Sequence, residues 1–122
     1  MAKGFSLIES LIVIGILAIL FCIGLPSLSR FQGSVLLESS AKSIASELQF
    51  SQSQAQLQHI SRTFSSANFP LPKSIGYQSP ASLTFSPSGN PQVGGSGSVT
   101  LVNAQGKTKK IIVSSLGRIR IE

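Results

Sequence analysis

The chain is predicted to be an α+β protein. A long N-terminal helix, transmembrane in its first half and amphipathic in its second, is expected to pack on a small C-terminal antiparallel β-sheet head. Three observations predict this. A nearly uninterrupted apolar run occupies Phe5 to Leu25. An apolar repeat at three- and four-residue steps continues from Leu28 to Ala55. Beyond residue 60, short β-type runs alternate with turns bearing Gly and Pro.

The apolar run, taken as a helix, rises about 31 Å, close to the thickness of a bilayer's hydrocarbon core. Leu11 to Leu25 carries no charge and no strongly polar side chain. Apolar residues on every face argue against the helix of a soluble domain. A secretory signal peptide fits poorly. Its basic region would be Lys3 alone, Glu9 lies within the run, and Pro26 closes it without a convincing small-residue cleavage site. An ordinary signal anchor is the plain alternative. Glu9 sets the segment apart, because an acid at bilayer depth is costly and marks a candidate functional site. The simpler role for Glu9 is a solvated position at the headgroup boundary. Pro26 removes a helix hydrogen bond and predicts a kink or local melting, beside the weak helix former Gly24.

The helix is expected to run on to about His59. Leu28, Phe31, Val35, Ala41, Ile44, Ala45, Leu48 and Ala55 define its apolar side, and the other side is rich in Ser and Gln. Gly33-Ser34 is a second candidate kink. Six strands are then predicted: Ile60 to Phe64, Ser74 to Gln78, Ser82 to Phe85, Ser98 to Val102, Lys109 to Ser114, and Arg118 to Glu122. Residues 65–72 read as a loop, Pro87 to Pro91 as a turn, and Gly94 to Gly97 as a flexible link. Asn103-Ala104-Gln105-Gly106 reads as a hairpin turn and Leu116-Gly117 as another. The expected organisation is 1–4 leader, 5–28 transmembrane and assembly helix, 29–60 amphipathic helix, and 61–122 β-rich head.

Two sets of motifs resemble a known family. Lys3-Gly4-Phe5-Ser6-Leu7-Ile8-Glu9, followed by the apolar run and Pro26, resembles the processing site of type IV filament proteins: type IV pilins, type II secretion pseudopilins and competence pilins. Leu83-Thr84-Phe85-Ser86-Pro87-Ser88-Gly89 and Ile111 to Arg120, ending in Gly117-Arg118-Ile119-Arg120, resemble the GspH/FimT-like minor pseudopilins and minor pilins. One departure stands out. That branch often has an Ala-Arg pair late in the long helix, where this chain has Gln52-Ser53-Gln54-Ala55.

The resemblance implies a pilin-like lollipop fold and a processing route. A prepilin peptidase would cut after Gly4 and N-methylate Phe5. Glu9 and Pro26 would serve assembly, Glu9 facing the N-terminal ammonium of a neighbouring subunit. Partners would be that peptidase, other pilin or pseudopilin subunits, and the inner-membrane assembly platform. The implied location is a bacterial inner membrane, single-pass, with the head on the periplasmic side, and then a filament.

Composition argues against an enzyme. The chain has no Asp, four dispersed Glu and one histidine, His59. No catalytic residue, cofactor or metal is therefore assigned. The glycines at 94, 95 and 97 lack the Lys-Ser/Thr and helix onset of a phosphate loop. Cys22 is the only cysteine, so no intramolecular disulfide forms, which argues mildly against a major adhesive pilin.

Charge is lopsided. The net charge is +6, and Lys107, Lys109, Lys110, Arg118 and Arg120 cluster near the end, opposed there only by Glu122. Arg118 and Arg120 are two apart and should share a strand face. These five are candidate DNA-binding residues, and in some FimT-like pilins the Gly-Arg-x-Arg stretch serves DNA capture. The bland alternative is a solvated basic edge that guards a strand from aggregation or pairs with a neighbouring subunit. No aromatic residue interleaves the cluster to stack on bases. The expected function is a minor pilin or pseudopilin of a type II secretion pseudopilus or type IV pilus, acting in filament assembly and protein secretion. The alternative is a FimT-like DNA-binding minor pilin in natural transformation.

Overall fold

A computed structural model describes residues 4–79, 81–92 and 97–122. The expectations for Lys3 and for Gly94 to Ser96 lie outside these residues. The expected α+β architecture is present. Helix α1, Leu7–Gln58, is followed by β1 (Arg62–Ser65), a 3-10 turn (Ser66–Asn68), β2 (Ile75–Ser79), β3 (Ser82–Phe85), β4 (Gly97–Asn103), β5 (Thr108–Val113) and β6 (Ile119–Ile121). The chain divides into two compact units, one ending at Gln32 and one spanning Gly33–Glu122.

In the first unit the helical segment is apolar and exposed on all sides. Ile8, Leu11, Ile14, Leu17, Leu20 and Ile23 are all at least 47% exposed. This segment is long and apolar enough to cross a membrane. The local melting expected at Pro26 is not seen, since the residues around Pro26 stay helical. Proline removes only its own N–H from the ladder. Nearby serines bond back to the helix, Ser27 Oγ to the Gly24 carbonyl at 2.8 Å and Ser29 Oγ to the Pro26 carbonyl at 2.9 Å.

In the second unit α1 buries Leu37, Ala41, Ile44, Leu48 and Ala55. These fall at three-, four- and seven-residue steps, so they line one face of the helix. They join Phe64, Ile75, Leu83, Phe85, Val99, Leu101, Ile111 and Val113 in one core. The strands form two antiparallel sheets, where a single sheet was expected. One pairs β1 with β3, and the other has the order β2-β4-β5-β6. In β4 and β5 the buried residues alternate, Val99, Leu101 and Asn103 on one strand and Ile111 and Val113 on the next. Period-two burial means one face of the larger sheet is core and the other faces outward.

Asn103 is a buried polar residue whose side chain organises the β4–β5 turn. Its Oδ1 accepts from the backbone N–H of Gln105 at 3.0 Å and of Lys107 at 2.8 Å. Its Nδ2 donates to Gln105 Oε1 at 2.9 Å and to the Gly33 carbonyl at 3.4 Å. A buried amide whose hydrogen bonds are all made fixes a turn, because those bonds offset the cost of taking it out of water. Gly106, with φ +78°, closes that turn in the left-handed region.

Candidate functional site

Two regions hold the residues that the sequence singles out. The first is the start of α1. Gly4, Phe5 and Ser6 precede the helix, and Phe5 is 72% exposed. The Ser6 carbonyl accepts from Glu9 N–H at 3.0 Å and Ser10 N–H at 3.2 Å, which makes Ser6 the residue that opens the helix. Glu9 lies in the first turn. An acid there meets the positive end of the helix dipole. The spacing Ser6-x-x-Glu9 is a helix-start signature, and it is a signal the sequence reading passed over. Glu9 thus has a local role in starting α1 besides any role toward a partner. Pro26 lies inside α1, well along the same apolar segment.

The second region is the basic cluster, and the pleat divides it. Ile111 and Val113 of β5 face the core, so Lys109 falls on that side too, with Lys110 and Ile112 on the outer face. Lys109 is half-buried and adds to the field at Glu38 of α1. The Glu38 carboxyl is held below its ordinary value first by its hydrogen bond to Lys42 Nζ at 2.9 Å, and less by Lys109. Arg120 stands opposite Ile112, which places it on the outer face. Arg118, two residues before it, shares that face, as does Glu122, whose backbone pairs with Lys110. Lys107 sits in the β4–β5 turn, where its backbone bonds Asn103. The structure therefore brings together Lys110, Arg118 and Arg120, beside Glu122, and separates Lys109 from them.

One residue noted in the sequence only as a departure from a motif has a role in the head that the sequence did not show. Gln52 of α1 donates through Nε2 to the carbonyls of Gly89 at 2.7 Å and Gly117 at 3.1 Å. One amide thus ties the turn after β3 and the turn between β5 and β6 to the helix. Gln56 Nε2 adds a bond to the Ser88 carbonyl at 3.2 Å. Gln52 opens the stretch Gln52-Ser53-Gln54-Ala55 and Gln56 follows it, and the turns they hold lie in the sequence stretches Leu83 to Gly89 and Ile111 to Arg120.

Among the described residues no group of three or more His, Cys, Asp or Glu comes together to hold a metal. Compared with protein-family models, curated proteins and solved structures, the chain has no significant match. What stands is a class defined by architecture: an apolar, membrane-capable N-terminal helix in a chain whose remainder is a compact head of helix and antiparallel sheet. That architecture is compatible with a pilin-like fold.

Proposed function

We propose that the chain is a minor pilin or pseudopilin, a structural subunit of a type II secretion pseudopilus or a type IV pilus. The observation that carries this is Glu9, the one carboxylate of the apolar run Phe5 to Leu25, in the first turn of α1 and four residues after Phe5 in Lys3-Gly4-Phe5. In this reading the precursor is a single-pass inner-membrane protein with a periplasmic head. A prepilin peptidase cuts after Gly4 and methylates Phe5. The helix then packs among those of other subunits on the assembly platform. A carboxylate in lipid needs a cationic partner, and the new N-terminal ammonium of a neighbour supplies one.

The test is Glu9→Ala in cells that hold the filament machinery. Membrane insertion should persist, and incorporation into sheared filaments should be lost. Mass spectrometry of the wild-type chain should show loss of residues 1–4 and one added methyl group. An unprocessed N-terminus in cells with active peptidase would sink the reading.

DNA capture in transformation has thinner support. Three of the five cations share a face, but Glu122 stands among them and Lys109 does not. No Phe or Tyr lies on that face to stack on bases. That reading predicts that Arg118→Ala with Arg120→Ala abolishes DNA uptake and leaves piliation intact.

A further inference from the structure

The larger sheet ends on β6, which has a strand neighbour on one side only. Lys110 and Glu122 exchange both backbone bonds, at 2.8 and 2.7 Å. Two residues along, Ile112 faces Arg120. Two further, Ser114 N–H donates to the Arg118 carbonyl at 2.9 Å. Antiparallel ladders alternate bonded and non-bonded pairs. Arg118, Arg120 and Glu122 therefore turn their backbones toward β5, and Ile119 and Ile121 turn theirs toward the open edge. Among the described residues none is hydrogen-bonded to those outward groups. The side chains alternate as well. Arg118 and Arg120 stand on the outer face, and Ile119 and Ile121 lie on the side of Val113 and Ile111. At the hairpin tip Leu116 is 83% exposed, on the turn that Gln52 holds.

We propose that the β6 edge is a docking site for an extended segment of a different protein, which adds as a further strand. The segment has acidic residues at alternate positions and apolar residues between them. Main-chain bonds to Ile119 and Ile121 supply the attachment, as in other strand additions. Acids opposite Arg118 and Arg120 supply the selection, through cross-strand charge pairs. The intervening apolar residues extend the core side past Ile119 and Ile121, and Leu116 offers an apolar contact at the end of the edge.

Charge complementarity decides the occupant. A second copy of β6 paired antiparallel over its full length sets Arg120 against Arg120 and offers an acid, Glu122, to Arg118 alone. A segment with two alternate acids answers both arginines, and like charges directly opposite are destabilising. Arg120 facing itself weakens self-pairing, and the two arginines together select a strand with two acids. A chain that self-associates in detergent and loses this with Ile121→Pro would reassign the edge to a second copy. No segment of this chain can fill the site. Its only acids are Glu9, Glu38, Glu47 and Glu122, and no two are two residues apart. A nucleic acid fits less well, since phosphates make no use of the outward Ile119 and Ile121 backbone or of Leu116. The inference rests on the head alone and does not depend on the filament reading.

The test uses the full chain in a non-ionic detergent and a fluorescein-labelled peptide of alternating Glu and Val, read by anisotropy. A control peptide has the same composition with its Glu residues grouped. Ile121→Pro removes one outward N–H and leaves the β5–β6 ladder untouched. Tyrosine emission in urea checks that the variant head is folded. The alternating peptide should bind, and the grouped one should bind about tenfold more weakly. Ile121→Pro should lose about tenfold, the worth of one backbone bond. Arg118→Ala with Arg120→Ala should lose about tenfold through the two charge pairs. Absence of binding, equal binding of the two peptides, or wild-type affinity in a folded Ile121→Pro would each overturn strand addition. Duplex DNA that displaces the peptide and binds more tightly would reassign the face to nucleic acid.

Discussion

Gly117→Ala separates two costs that usually come together. Gly117 has φ +77° and Gly106 has φ +78°, so alanine at either position meets the same left-handed backbone. That conformation costs an L-residue about 1–2 kcal/mol. The surroundings differ. A Cβ at 106 would have nothing within 4 Å, whereas a Cβ at 117 would lie 2.6 Å from the Gly89 carbonyl oxygen and 2.5 Å from Gln52 Nε2. The Gly89 carbonyl is backbone and is itself held by Gln52, so it yields only with its turn. Overpacking of this kind costs about 1–3 kcal/mol, and the disturbed Gln52 bonds about 0.5–1.5 kcal/mol each. Gly117→Ala should therefore lose about 2–6 kcal/mol more than Gly106→Ala. At ordinary stabilities per residue, the Gly33–Glu122 unit has about 5–13 kcal/mol in all. Tyr77 is the only tyrosine and tryptophan is absent, so tyrosine emission during urea unfolding reports on the head. Equal losses in the two variants would refute the close approach of the two turns.

His59 follows α1 with φ 52°, the left-handed conformation that glycine adopts without strain. His59→Gly should raise head stability by about 0.5–1 kcal/mol, read from the same urea midpoints. Tyr77 donates its hydroxyl to the Phe69 carbonyl at 3.3 Å, and burial pushes its ionisation above the ordinary value. The folded head then keeps the phenol protonated at a pH where the unfolded chain has lost it. Stability from this group is complete below the ordinary tyrosine value of about 10 and declines as pH rises through it toward the folded-state value. Tyr77→Phe should remove that part of the alkaline loss, followed by circular dichroism.

Most of the secondary structure was legible because periodicity is local. The helix was expected to about His59 and ends at Gln58, and β3 has the expected bounds. The first strand was expected from Ile60 but begins at Arg62, because His59 adopts a left-handed turn that the chain needs two residues to leave. The 3-10 turn at Ser66–Asn68 was hidden in the expected loop. The division into two sheets depends on pairings far apart in sequence, such as β1 with β3, and strand propensity is silent about partners. At the candidate sites, the shared face of Arg118 and Arg120 followed from their spacing. The separation of Lys109 from Lys110 was implicit in the same rule, since neighbours on a strand point to opposite faces. Gln52 carried no signal, because its bonds reach residues 37 and 65 positions away.

Those reaches bear on the order of events in folding. Closing loops of that length costs entropy before any bond is returned. Gln52 can grip both carbonyls only after the turn at Gly89 and the hairpin at Gly117 have each formed and settled on the helix. Gln52 is then a latch set last, and Gln52→Ala should speed unfolding while leaving the folding rate almost unchanged, as stopped-flow tyrosine emission would show. Interactions made after the transition state slow unfolding and leave the folding rate almost unchanged. The clip therefore governs how long a finished head lasts, and local helix and hairpin formation govern how quickly it arises.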